Sequence, residues 1–147
     1  MYAKKSPKIG EVYAVNFEKN FSEQTGFRPA VVIQNKLGNI FGKNIIVLPI
    51  TSSQRKADLP THVKLIADDT GLRNDSIVLC EHPVTIPKSY LRKHITTLND
   101  EYIKKIAKAY ILSSGLISLL DEQEVIDVWN ESKNLNMTDK EGVKLGP

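Results

Sequence analysis

Cysteine is almost absent from this chain: of 147 residues only Cys80 carries a thiol, inside the apolar run SIVLCE. An internal disulfide is therefore excluded, and a buried, unreactive thiol is the expected state. Histidine is nearly as scarce, with His62, His82 and His94 scattered along the sequence, so no zinc or other metal centre is predicted. No stretch of 18 consecutive apolar residues occurs, which argues against a spanning helix. The opening MYAKKSPKIGEVYAV lacks the apolar core of a secretory leader, making the reducing cytoplasm the default location. A phosphate-binding GxxxxGK[ST] loop, a GxGxxG turn and a Gly-x-Ser-x-Gly elbow are all missing. Any catalysis is then expected to use no metal and no cofactor, only a few polar side chains at strand ends.

What is present fits an ordinary globular domain, with 41% hydrophobic and 25% charged residues over a length that can bury a real core. The net charge of +3 is unevenly spread. Through Asn99 the chain has 14 Lys and Arg against 8 Asp and Glu; from Asp100 onward it has 6 against 9. A basic front part suits a polyanionic partner, although solvated surface explains most such imbalances.

Short Val- and Ile-rich runs follow one another with turn chemistry between them: EVYAVNF, PAVVIQN, NIIVLPIT, THVKLI, SIVLCE and a weaker VTI. Leu37-Gly38-Asn39, Gly42-Lys43-Asn44 and Asp68-Asp69-Thr70-Gly71 read as turns. Close spacing without intervening helical pattern predicts antiparallel pairing in a small barrel or sandwich, mainly β. From Asn99 the period changes to helical, with a stripe of Ile103, Ile106, Ala107, Tyr110, Ile111, Ser114 and Ile117. Asn99 or Asp100 can cap that helix, and Gly115 weakens it without having to end it. Asp121 and Glu124 form a D-x-x-E capping pattern before Val125, Val128 and Trp129, which predicts a second short helix. Two segments are expected: residues 1–120 as one domain with its helix, and 121–147 as an acidic helical or frayed extension. Trp129 and its neighbours are expected to dock on the sheet rather than to shield a basic groove.

Two places can carry chemistry. Arg28 stands before Pro29 at the mouth of an apolar strand, behind Ser22, Glu23, Gln24, Thr25 and Gly26. The strand NIIVLPIT runs out into Thr51, Ser52 and Ser53, followed by Arg55 and Lys56. A guanidinium forks onto phosphate oxygens, and a hydroxyl donates to a developing oxyanion, so the two together suit a phosphodiester. Taken singly, a surface arginine and a capping Thr-Ser-Ser run explain the same residues.

The ordered blocks GEVY, SEQ-x-G-x-RP, VIQN, PITS, LPTHV and DSIVL-x-E, with the KSYLRKHITTL segment behind them, resemble the MazF/PemK family of toxin endoribonucleases. The resemblance covers about residues 8 to 120. It implies an SH3-like antiparallel barrel with a C-terminal helix, a homodimer, and metal-free, sequence-specific cleavage of single-stranded RNA. Attack by the ribose 2′-hydroxyl would leave 2′,3′-cyclic phosphate and 5′-hydroxyl ends. By this resemblance the catalytic residues fall on Arg28 and Thr51. RNA contacts fall on Ser22, Glu23, Gln24, Gly26, Ser52, Ser53, Arg55, Lys56 and His82. A cognate antitoxin protein is the implied partner, with DNA reached only through the antitoxin complex and no membrane involved.

The sequence also departs from the family. Phe21 replaces the usual glycine before Ser-Glu-Gln, Glu81-His82 replaces a Glu-Gln pair, and Pro83-Val84-Thr85-Ile86-Pro87 lacks the family's arginine. Histidine is a residue type suited to acid–base work near neutral pH, yet a structural role explains His82 more simply. The alternative reading is a non-catalytic toxin resembling the CcdB proteins, which share the barrel and bind DNA gyrase.

Overall fold

A computed structural model describes residues 5–17, 27–52 and 58–137. Seven strands form one antiparallel sheet: β1 (Glu11–Asn16), β2 (Phe27–Val32), β3 (Asn44–Thr51), β4 (His62–Leu65), β5 (Ser76–Leu79), β6 (Val84–Pro87) and β7 (Leu91–Thr97). Their order is β4-β5-β3-β2-β1-β7, with β6 on β3 as well. β3 is the hub. One of its edges pairs with β2, and the other is shared between β5 at Ile50 and Thr51 and β6 at Asn44–Val47. The mainly β architecture is the expected one.

Alternation along the central strands explains why their sequences are apolar throughout. On β2, Val31 enters one buried cluster with Val12, Leu48, Ile50, Val63 and Leu65. Its neighbours Ala30 and Val32 enter a second with Val15, Phe17, Ile45, Val47 and Ile86. Successive side chains point to opposite faces, so a strand between two cores cannot show a polar side.

Three sequence expectations are corrected. Residues 37–39 are no turn but part of the helix α1 (Lys36–Phe41), begun by the Asn35 side chain accepting from the Gly38 N–H. Residues 67–70 form a single helical turn, α2 (Ala67–Thr70), ended by Gly71 at φ +81°, a left-handed conformation that disfavours a side chain. Strand β7 was not among the runs read as strands: its residues are Leu, Arg, Lys, His, Ile, Thr, Thr, all exposed or half-buried on a sheet edge. An edge strand with one neighbour needs little apolar content, so the period-2 signal fades.

The helix α3 (Asp100–Leu112) has Asn99 at its N-cap, accepting from the Tyr102 N–H at 3.0 Å. Its buried face is Tyr102, Ile106 and Ala109 with Ile103 alongside, whereas Ala107, Tyr110 and Ile111 are exposed. The expected stripe was thus rotated, because apolar residues occur on both sides of this helix. Gly10 marks where α3 meets the sheet: at φ +89°, any Cβ there would collide with the Ile103 side chain. The helix stops at Leu112 with Ser113 as C-cap, short of Gly115. A 3₁₀ turn (Leu116–Leu119) leads into α4 (Glu122–Leu135), which carries the full capping box between Asp121 and Glu124. None of the residues of α4 is buried, and Trp129 is 56% exposed beneath the Lys133 ammonium rather than docked on the sheet.

Candidate functional site

Arg28 is held extended by Pro29, because a following proline disfavours the helical region for the residue before it. On one side Arg28 lies opposite Val15 of β1. On the other, β2 and β3 run with Ala30 opposite Pro49, Val31 opposite Leu48 and Val32 opposite Val47. That pairing ends at Ala30 and Pro49, so Arg28 and Thr51 each lie two residues past its last pair, at the same end of the two strands. Thr51 in turn lies opposite Ile77 of β5, which lies opposite Lys64 of β4. The observed pairs thus run Val15 with Arg28 on one side and Thr51, Ile77 and Lys64 on the other.

A guanidinium and a hydroxyl so placed can converge on one phosphoryl group. Arg28 and Thr51 are half-buried and Ser52 is exposed. Each of the three already has an interaction partner. Ser22, Glu23, Gln24, Gly26, Ser53, Arg55 and Lys56 lie outside the described residues. In the sequence they immediately precede β2 or follow β3.

A second cluster escaped the sequence reading. His62, at the start of β4, has Nε2 2.8 Å from Oε2 of Glu81, and its side chain is only 4% exposed. His82 approaches the same carboxylate oxygen at 3.8 Å from a largely exposed position. Burial pushes the Glu81 carboxyl up. The hydrogen bonds from its own backbone N–H and from His62, with the charges of His62 and His82, outweigh that effect, so it sits below the usual carboxylate range. Glu81 Oε1 is buried without a hydrogen-bond partner among the described residues. The missing signal was long-range: residues 62 and 81 meet only because β4 and β5 pair with His62 opposite Leu79.

Cys80 is fully buried, and that burial, reinforced by the Glu81 charge, pushes its thiol up to about 12. It is no nucleophile at neutral pH. His94 lies apart, 3.8 Å from Glu11 and edge-on to Tyr13. Among the described residues, no group of three or more His, Cys, Asp or Glu is placed to hold a metal ion. Among them, too, no helix is long and apolar enough to cross a membrane.

Residues 8–113 match the family described as PemK-like, MazF-like toxin of type II toxin-antitoxin system. The chain is 43% identical over 111 residues to endoribonuclease EndoA of Bacillus subtilis (strain 168), covering 75% of this chain and 96% of the relative. It is 38% identical over 108 residues to endoribonuclease MazF of Staphylococcus saprophyticus, covering 73% and 90%. Among solved structures, a mycobacterial endoribonuclease in complex with its cognate antitoxin superposes with a TM-score of 0.63 at 21% identity, covering 76% of this chain and 97% of the other. MazF of Deinococcus radiodurans superposes with a TM-score of 0.61 at 23% identity, covering 76% and 100%. At these identities the two structures speak for the fold alone. The family match over most of the chain and the two relatives near 40% identity decide the assignment: this chain belongs to the PemK-like, MazF-like toxins of type II toxin–antitoxin systems.

Proposed function

We propose that the chain is a toxin endoribonuclease that cuts single-stranded RNA at specific sequences and is neutralised by a cognate antitoxin. The observation that carries the reading is the placement of Arg28 and Thr51 at the same end of the paired strands β2 and β3, in a chain whose relatives are named endoribonucleases. The ribose 2′-oxygen attacks the adjacent phosphorus and gives up its proton. The P–O5′ bond breaks, and the departing 5′-oxygen takes up a proton. The products are a 2′,3′-cyclic phosphate and a 5′-hydroxyl.

Arg28 neutralises the charge that grows on the phosphoryl oxygens. As an always-protonated group it acts through electrostatics. Thr51 holds a phosphoryl oxygen or orients the attacking hydroxyl. RNA is guided to this row by Ser22, Glu23, Gln24, Gly26, Ser52, Ser53, Arg55, Lys56 and His82. The reaction uses no metal, the enzyme works in the cytoplasm as a homodimer, and residues 1–120 form its working unit. The relatives lend no support to a gyrase-binding, non-catalytic toxin or to direct DNA contact.

A fluorogenic RNA incubated with the protein in excess chelator tests this directly. Cleavage with 5′-hydroxyl ends that a polynucleotide kinase labels without prior dephosphorylation is the expected result. Salt-dependent RNA binding without cleavage, or 5′-phosphate ends, would overturn it.

A further inference from the structure

Arg28 stands near the start of β2, whereas α1 follows the end of that strand. At this opposite end, between α1, the segment preceding β1 and the end of α4, lies a cleft of about 620 Å³. That volume falls in the range of small-molecule sites. Lys5, Ser6 and Pro7 on one wall and Asn136 on another lie outside residues 8–113, so the cleft is built partly from residues beyond the family's domain.

The walls are held together by hydrogen bonds. Asn136 Oδ1 accepts from the Lys36 N–H at 2.9 Å, which ties the end of α4 to the start of α1. The Asn35 side chain caps α1, and the Lys88 ammonium donates to the Asn39 carbonyl oxygen. A site fixed in advance loses less conformational freedom when a ligand arrives.

Three kinds of surface meet in the cleft. Pro7, Ile9 and Ile40 are apolar. Lys5, Lys8 and Lys36 bring three ammonium groups, none of them in an ion pair among the described residues, and none of the described residues lining the cleft is an acid. Asn39 is 2% exposed, and its Oδ1 has no hydrogen-bond partner among the described residues. A buried acceptor without a donor is destabilising, and an N–H brought in by a ligand relieves that. An aliphatic anion would leave the acceptor unpaired, and inorganic phosphate would leave the apolar surface wet. A nucleotide meets all three, with an apolar base face, N–H groups on the base edge and phosphates for the lysines.

We propose that this cleft binds a nucleoside polyphosphate. The base lies on Pro7, Ile9 and Ile40 with an N–H donated to Asn39 Oδ1, and the phosphates meet Lys5, Lys8 and Lys36. The site stands apart from Arg28 and Thr51 and does not rest on the nuclease reading, so RNA cleavage is not among its readouts.

Titration calorimetry of the full chain with ATP and with GTP, in excess chelator, tests the site. Saturable binding of at least one is expected, about tenfold or more tighter than that of its nucleoside or of inorganic phosphate. Lys5→Gln/Lys8→Gln/Lys36→Gln is expected to weaken it by about tenfold or more, and so is Ile40→Asp, with circular dichroism verifying both folds. Lys104→Gln/Lys105→Gln/Lys108→Gln makes the same change of net charge on α3 and is expected to stay within about twofold of the wild type, as is Arg28→Ala. No saturable binding of either nucleotide up to about 1 mM overturns the proposal. So does a nucleoside or phosphate that binds as tightly as the nucleotide, folded cleft variants within about twofold of the wild type, or an equal loss in Arg28→Ala or the α3 variant.

Discussion

Nε2 of His62 lies 2.8 Å from Oε2 of Glu81, while the other oxygen of that carboxylate, Oε1, is buried with no hydrogen-bond partner among the described residues. The imidazole is therefore the main side-chain compensation for a carboxylate held at the β5–β6 connection. Replacing His62 by Leu removes the side-chain hydrogen bond to Glu81, leaving its own backbone N–H and His82 to hold the carboxylate, and a loss of about 1–3 kcal/mol is expected. The urea midpoint checks this, and a change below about 0.5 kcal/mol would show the pair to be energetically idle.

The same carboxylate shapes the acid limb of the stability curve. Its folded pKa is below the unfolded value, so it contributes stability that is fully present above the unfolded pKa, about 4.3 for Glu. That contribution is lost as pH falls through the folded pKa, because the unfolded chain then takes up the proton more readily. Glu81→Gln is expected to flatten the stability–pH profile below about pH 4.5 relative to the wild type. An identical acid limb in both proteins would rule Glu81 out.

Arg28→Ala is expected to lower RNA cleavage by at least about 100-fold, the scale of losing one preorganised electrostatic donor. Arg28 is half-buried at a strand entrance, so the folded state must be verified by circular dichroism alongside the rate. Near wild-type cleavage by a folded Arg28→Ala protein would remove the arginine from the chemistry.

Thr51→Val keeps the β-branched shape on β3 and deletes only the hydroxyl. Loss in kcat with KM little changed is the expected signature of a contact made in the transition state. A loss below about threefold in kcat/KM would take Thr51 out of the site.

His82 invites a pH test. If it holds Glu81 and contacts RNA without moving a proton, His82→Asn should leave the shape of the pH–rate profile unchanged. Disappearance of a limb near pH 6–7 in the variant would instead assign it acid–base work.

Much of this was legible in the chain itself. β-Branched runs marked six of the seven strands, and Asp121 with Glu124 marked the start of α4, because strand propensity and helix capping are local properties. That Arg28 and Thr51 lie near one another could be suspected from residue types and from the family's motifs. Only the antiparallel pairing of β2 with β3 brings the start of one strand and the end of the other together. Strand β7 was missed because an edge strand is held by backbone pairing, which the side chains of Arg92, Lys93 and His94 do not announce. The α3 stripe was rotated because Ile111 and Leu112 lie on the outward face and cannot be told from core residues by periodicity alone.

By itself, then, the sequence determined the class of the protein: a cysteine-poor, mainly β domain with an arginine and a hydroxyl at strand ends and a capped acidic helix behind it. These follow from composition and from signals spanning a few residues. Only the tertiary structure decided that His62 reaches Glu81 across 19 positions, that Tyr102 and not Tyr110 faces the core, and that Trp129 stays in solvent. Each of those depends on which strands pair and which helix face the sheet can cover, and no local run of residues contains that information.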